Sequence, residues 1–186
     1  MHVFLETERL ILRRFTEDDA DALFALYDDP QVMRYVSGAP ADRDEIVKLD
    51  IPAFLGYYGR FPGYGFFTAV EKSSGDFLGW FHFRPRPEDP ADEPELGYRL
   101  HQAAWGKGYG TEGSAALLEK GFTELDVRRV TASTMVVNKR SRRVMEKLGM
   151  TLLRTFHGDF HDPIPGSEHG DVEYAITREQ WLAKDS

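Results

Sequence analysis

The sequence predicts an α/β protein built on a mixed, mostly antiparallel sheet. Three observations predict it. Strand-like and helix-like segments follow one another along the chain, with no internal repeat and no linker. Two strand-like runs, residues 65–70 and 77–83, are joined by the tight turn Lys72-Ser73-Ser74-Gly75-Asp76, which makes them a hairpin. Several amphipathic segments carry their own start and stop residues. With 186 residues, the chain is expected to form one domain over 1–186.

The elements follow in order. Residues 10–15 read as a first strand, Leu10-Ile11-Leu12 followed by Arg13, Arg14 and Phe15. Thr16 reads as a helix cap, with Glu17, Asp18 and Asp19 in the first turn. Ala20, Leu23, Phe24 and Tyr27 then share a helical face, and Asp28-Asp29-Pro30 ends it. Residues 43–58 form a less regular helical region, which Pro52 is expected to break into two. After the hairpin, residues 84–94 hold four prolines and several acids and read as an exposed, extended loop. Residues 95–100 are a strand, and the glycine inside it, Gly97, suggests a bulge or a close approach. A helix over 108–124 shows Leu118, Phe122 and Leu125 on one face. A strand over 129–134 follows, then a helix over 138–148 that Gly149 stops. Residues 150–156 and 171–176 are late strands, and a short helix over 178–183 ends the chain.

Composition excludes several classes. Apolar content of 41% and charged content of 29% belong to a folded chain rather than a disordered one. A net charge of −8 does not suit a nucleic-acid binder, and an acidic surface mildly favours cationic acceptors. Without cysteine, thiol nucleophiles, disulfides and thiolate-bound metals are excluded. Residues 1–6 lack a secretory pattern, and no apolar run approaches ~18 residues, so no membrane partner and a cytoplasmic location are expected.

The segment Trp105-Gly106-Lys107-Gly108-Tyr109-Gly110-Thr111-Glu112 opens the 108–124 helix. It can be read as a tight turn. It can also be read as a phosphate cradle, because glycines admit φ > 0 and the amides at a helix start attract anions. A dinucleotide fold would place its glycine loop after the first strand, and a Walker loop would need a hydroxyl residue after the lysine. This loop meets neither condition.

Glu95-Leu96-Gly97-Tyr98, the glycine loop, Asn138-Lys139-Arg140-Ser141 and Glu146-Lys147-Leu148-Gly149-Met150 together resemble the GNAT acetyltransferase superfamily. With the opening Leu5-Glu6-Thr7-Glu8-Arg9-Leu10, they resemble its RimJ/RimL-like branch. The resemblance implies the GNAT fold, a twisted sheet of about seven strands with helices on both faces and a splay between the fourth and fifth. It implies N-acetyl transfer with acetyl-CoA as co-substrate, to a peptide N-terminus or a small amine, with a homodimer left open. Pantetheine would lie between residues 95–100 and 129–134, beside Tyr98 and Leu100. The pyrophosphate would sit on the amides of Trp105, Gly106, Lys107, Gly108, Tyr109, Gly110 and Thr111. Asn138 and Ser141 would stand near the thiol end; on their own terms they read equally as a helix cap and a small residue. Arg143, within the basic run Lys139, Arg140, Arg142 and Arg143, would meet the 3′-phosphate of CoA, unless that run is a solvated face.

Amine attack on a thioester needs a neutral amine, a stabilised oxyanion and a leaving thiolate. Glu95 is the first candidate base, set against an exposed strand carboxylate. An amide near Thr131 or Ala132 is a candidate to polarise the carbonyl. The family's usual tyrosine acid is replaced by Met145, so Ser141 is carried over as the proton donor, and a catalytically weak CoA-binding sensor or scaffold is the alternative function. His82 alternates with Phe81 and Phe83 and reads as structural. Tyr57, Tyr58, Phe61, Tyr64, Phe66 and Phe67 read as core, with some walling an acceptor pocket. His157, Asp159, His161, Asp162, His169 and Asp171 are irregularly spaced for zinc, so no metal is expected there, and their loop is expected to border the acceptor site.

Overall fold

The computed structural model describes residues 1–158 and 162–184. Its elements are β1 (Val3–Glu6), β2 (Leu10–Arg14), α1 (Ala20–Tyr27), α2 (Pro30–Met33), α3 (Arg43–Glu45), α4 (Ile51–Arg60), β3 (Gly65–Glu71), β4 (Phe77–Arg84), β5 (Glu95–Leu100), α5 (Tyr109–Glu124), β6 (Arg129–Met135), α6 (Lys139–Lys147), β7 (Thr151–Phe156), β8 (Asp171–Thr177) and α7 (Arg178–Ala183). The strands form one sheet in the order β1-β2-β3-β4-β5-β6-β8-β7. Every neighbouring pair is antiparallel except β5 and β6.

The sheet has eight strands where about seven were expected. The additional one, β1, is a four-residue edge strand paired with β2. Its inclusion moves the splay to the fifth and sixth strands. α2 was also unexpected. Asp29 accepts a hydrogen bond from the Gln31 amide at 2.9 Å and Pro30 takes the first turn, so the Asp-Asp-Pro that stops α1 also starts α2. Pro52 does not break its region. A wide π turn over Ile46–Asp50 joins α3 to α4, and Pro52 falls in the first turn of α4, where a missing N–H costs little. The loop over 84–94 is only partly exposed. Glu93 is buried and binds the guanidinium groups of Arg128 and Arg129, which ties the loop to the start of β6.

Alternation along the strands creates two cores. Leu10, Leu12, Phe67, Ala69, Phe81, Phe83, Leu96 and Leu100 pack with Leu117, Leu118 and Phe122 of α5 on one face. On the other, Trp80 packs with Phe15, Leu23, Leu26, Ile46, Ile51 and Phe54 beneath α1 to α4. No helix among the described residues is long and apolar enough to cross a membrane.

Candidate active site

β5 and β6 share a single registered pair, Glu95 with Thr131. Beyond it they diverge. Each is fully paired on its outer edge, β5 to β4 and β6 to β8, while the facing edges have no strand partner beyond that one pair, which leaves backbone groups there for a ligand. A cavity of about 760 Å³ opens there. Its wall draws on Leu96, Tyr98, Leu100, Ser114, Ser141 and Met145 from the α5 face, and on Val32, Trp80, His82 and Arg99 from the α1–α4 face. The cavity therefore passes through the sheet, and two substrates can meet there from opposite sides.

The glycine loop stands at the α5 end. Gly106 and Gly108 have φ of 72° and 84°, the left-handed region that glycine alone enters at little cost. Gly108 is the cap of α5, and no side chain caps the helix. Among the described residues, no carbonyl outside the helix takes the amides of residues 106–111. Sixteen residues of helix dipole lie behind them. This donor set fits a pyrophosphate. Lys107 is exposed, with its side chain free to approach an anion. Tyr109 faces inward instead: it is buried, donates a hydrogen bond to Glu71 and lies under the Arg9 guanidinium. Glu112 anchors the helix start, accepting from the Thr7 hydroxyl at 2.6 Å and from the Arg9 amide at 2.9 Å.

Tyr98, Leu100, Trp105, Asn138 and Ser141 line the cavity, whereas the loop residues 106–111 lie beyond its wall. Asn138 caps α6 by accepting from the Ser141 amide at 3.3 Å, and it donates to the Thr134 hydroxyl at 3.0 Å. Burial pushes the Tyr98 phenol upward, more than the nearby Ser141 lowers it, so it stays protonated at neutral pH. Two further hydroxyls on the wall, Ser114 and Ser133, are buried without a partner, which marks polar positions left for a ligand.

Several expectations change. Arg143 is exposed and, like the loop residues 106–111, absent from the wall; Arg140 lines the cavity, 4.4 Å over the Trp105 ring. Arg142 is taken up by the Val136 carbonyl and the Tyr174 hydroxyl. The Thr131 amide donates to the Pro94 carbonyl at 3.1 Å and is not free to polarise a thioester. The aromatic group of residues 57–67 lies behind the wall, with Phe66 packed against the rings of Trp80 and His82. Phe156, Ile164 and Asp171 bring the late loop to the cavity. Asp159 and His161 lie outside the described residues. Among the described ones, no three His, Asp or Glu side chains gather as a metal site.

Glu95 is neither exposed nor on the cavity wall. Its side chain is 16% exposed, and its Oε1 lies 3.2 Å from His82 Nε2, while Oε2 is 3.7 Å from the Arg86 guanidinium. Burial alone would raise its carboxyl. His82, Arg84 and Arg86 more than reverse that and hold it below the ordinary carboxylate range. His82 is the group that faces the cavity. Burial lowers its imidazole below 6.5 despite the opposing charge of Glu95, so the ring is neutral at pH 7. Its position is fixed from the far side too, because Gly97 lies opposite it in β5 and a Cβ there would come within 2.5 Å of the ring. The sequence held the signal for His82: the hairpin alternation puts residues 66, 80 and 82 on the face that Glu95 and Gly97 share.

A sheet opened at one parallel pair, with an uncapped glycine-rich helix start on one face, defines the class: a transferase that draws on an acyl-CoA. The acetyltransferase (GNAT) domain profile matches residues 9–151, and the chain belongs to that family. FsC-acetyl coenzyme A-N(2)-transacetylase of Aspergillus fumigatus is 36% identical over 185 residues, covering 96% of this chain and 77% of that protein. A GNAT-family acetyltransferase structure from Bacillus anthracis is 25% identical with a TM-score of 0.73, covering 96% and 99%. RimL, the ribosomal L7/L12 alpha-N-protein acetyltransferase solved with coenzyme A, shares the fold at 19% identity with a TM-score of 0.79, covering 96% and 99%. The protein is an acetyl-CoA-dependent acyltransferase, and acetyl-CoA is its co-substrate.

Proposed function

We propose that the chain acetylates a primary amine directly, in a ternary complex, with neutral His82 as general base and Glu95 as the residue that positions it. The single observation that carries this reading is the cavity through the sheet, with His82 on one face and Ser141 and Tyr98 on the other. The attacking nitrogen bonds to the acetyl carbon, the carbon–sulfur bond breaks, and sulfur keeps the electron pair. His82 receives the proton that the nitrogen sheds. Ser141, backed by Tyr98, is placed to protonate the sulfur, whose thiol has a pKa near ~8.5 and needs little help. With no cysteine in the chain, no thioester on the enzyme is invoked.

The amide cradle at 106–111 would hold the pyrophosphate, and Lys139 and Arg140 would add cations at the same end. The relatives' names agree on the nucleophile: one places acetyl on N(2), the other on a protein α-N. The test is release of CoA thiol from acetyl-CoA with a panel of small amines and N-terminal peptides. Turnover that survives intact in His82→Ala would refute the assignment of the base; absence of amine-dependent release across the panel would refute the transfer itself.

A further inference from the structure

Arg99 is the group in the cavity that the chemistry above leaves unused. It sits on β5 on the same face as Glu95 and Gly97, directly across from Trp80. Its guanidinium stacks 4.7 Å from the Tyr27 ring and 5.0 Å from the Trp80 ring. These rings pack against the guanidinium, which also lines the cavity. Among the described residues it makes no ion pair; Asp50 is the acid whose charge bears on it. Burial makes such a charge costly, and its ordinary remedy is a carboxylate gripped by the fork of donors. The wall repeats the sign. Arg34 lines the same acceptor side, and the only carboxylate on the whole described wall is Asp171.

We propose that the acceptor is a small amine that carries a carboxylate, and that Arg99 binds this carboxylate while the amine is presented to His82. The proposal rests on the transferase reading given above. Register supports the spacing. Trp80 faces Arg99 and His82 faces Gly97, so the two sites are one two-residue repeat apart, about 7 Å along the strand. An amino acid spans that distance with its carboxylate on the guanidinium and its amine toward the imidazole. The acidity of the chain as a whole pointed to a cationic acceptor; the lining reverses that expectation.

The test compares each common L-amino acid with its carboxamide as acceptor, alongside a short peptide with aspartate at its second position, by release of CoA thiol. Expected is a preference of at least about ten-fold in kcat/KM for the best acid over its amide, collapsing toward unity in Arg99→Gln. Equal rates for acids and amides would overturn the proposal and leave the transferase reading standing, as would a preference for the peptide over every free amino acid. A second measurement does not depend on turnover. In protein saturated with CoA, the co-product that leaves room for an acetylated ligand, the Arg99 Nε–H resonance, assigned by its loss in Arg99→Lys, is followed by NMR. It should shift with N-acetylglycine and stay still with N-acetylglycinamide. A resonance that ignores both overturns the proposal even if amines are acetylated, and a guanidinium serving only to staple Tyr27 to Trp80 gives that result.

Discussion

His82 concentrates the residue-scale consequences. As the base it must be neutral, and its imidazole titrates below 6.5. The rate should therefore carry an acid limb as pH drops through that lowered value, separate from the limb at higher pH where the acceptor amine itself loses its proton, and a pH profile of kcat/KM checks it. His82→Ala should cost about 10²–10⁴-fold in kcat with acetyl-CoA affinity unchanged. Glu95 raises the imidazole, so Glu95→Gln should move the acid limb to lower pH while slowing turnover; a base at Glu95 itself would erase the limb instead. The same burial has a stability sign. The unfolded chain binds a proton that the folded His82 resists, so this contribution is present above about pH 6.5 and declines in acid. Gly97→Ala would drive a methyl into the His82 ring and should lower kcat through displacement of the base. At this scale the sequence was only half legible. Glu95 was visible through its motif, but its partner was not, because a histidine between two phenylalanines looks structural until the register shows that it shares a face with Gly97. Arg99 lay in plain alternation with both, yet its solitude is a tertiary fact.

At the scale of elements, α5 and its cap are the most legible part of the molecule. The glycine spacing pointed to left-handed backbone, and Gly106 and Gly108 adopt it. Gly108→Ala has room for its methyl, with Arg9 Nη2 at 3.4 Å, so its cost is conformational: about 1–2 kcal/mol of stability, together with weaker acetyl-CoA binding as the cradle distorts. Denaturant unfolding and calorimetry read the two effects. Glu112 ties the turn between β1 and β2 to the start of α5 through Thr7 and Arg9. Glu112→Ala leaves the Arg9 amide and the Thr7 hydroxyl without their acceptor and should destabilise by about 1–3 kcal/mol in urea unfolding. This contact gives a physical reason for the opening run at residues 5–10 of the sequence motif, 100 residues from the loop it braces. What was not legible depended on brevity or on double use: β1 is four residues long, and Asp29 serves the end of one helix and the start of another.

On the scale of the whole molecule, charge and fold part company. The chain carries −8, yet Arg34, Arg99, Lys139 and Arg140 line the cavity against one acid among the described residues, Asp171. Average composition could not show this segregation, because it arises only when β5, α2 and α6 converge. Acetyl-CoA binding should weaken by roughly ten-fold when salt rises from dilute buffer to about 0.5 M, which titration calorimetry can follow. The mixed sheet was legible from alternation and from the hairpin, while its opening came from family motifs rather than from periodicity. That opening has a mechanical side. The five-strand and three-strand parts of the sheet are joined at its closed end by the Glu95–Thr131 pair, by backbone bonds from Thr131 to Pro94 and from Arg128 and Arg129 to Asp92, and by Glu93 against Arg128 and Arg129. Glu93 is off the cavity wall, so its loss should loosen the wedge from its closed end and leave every wall residue in place.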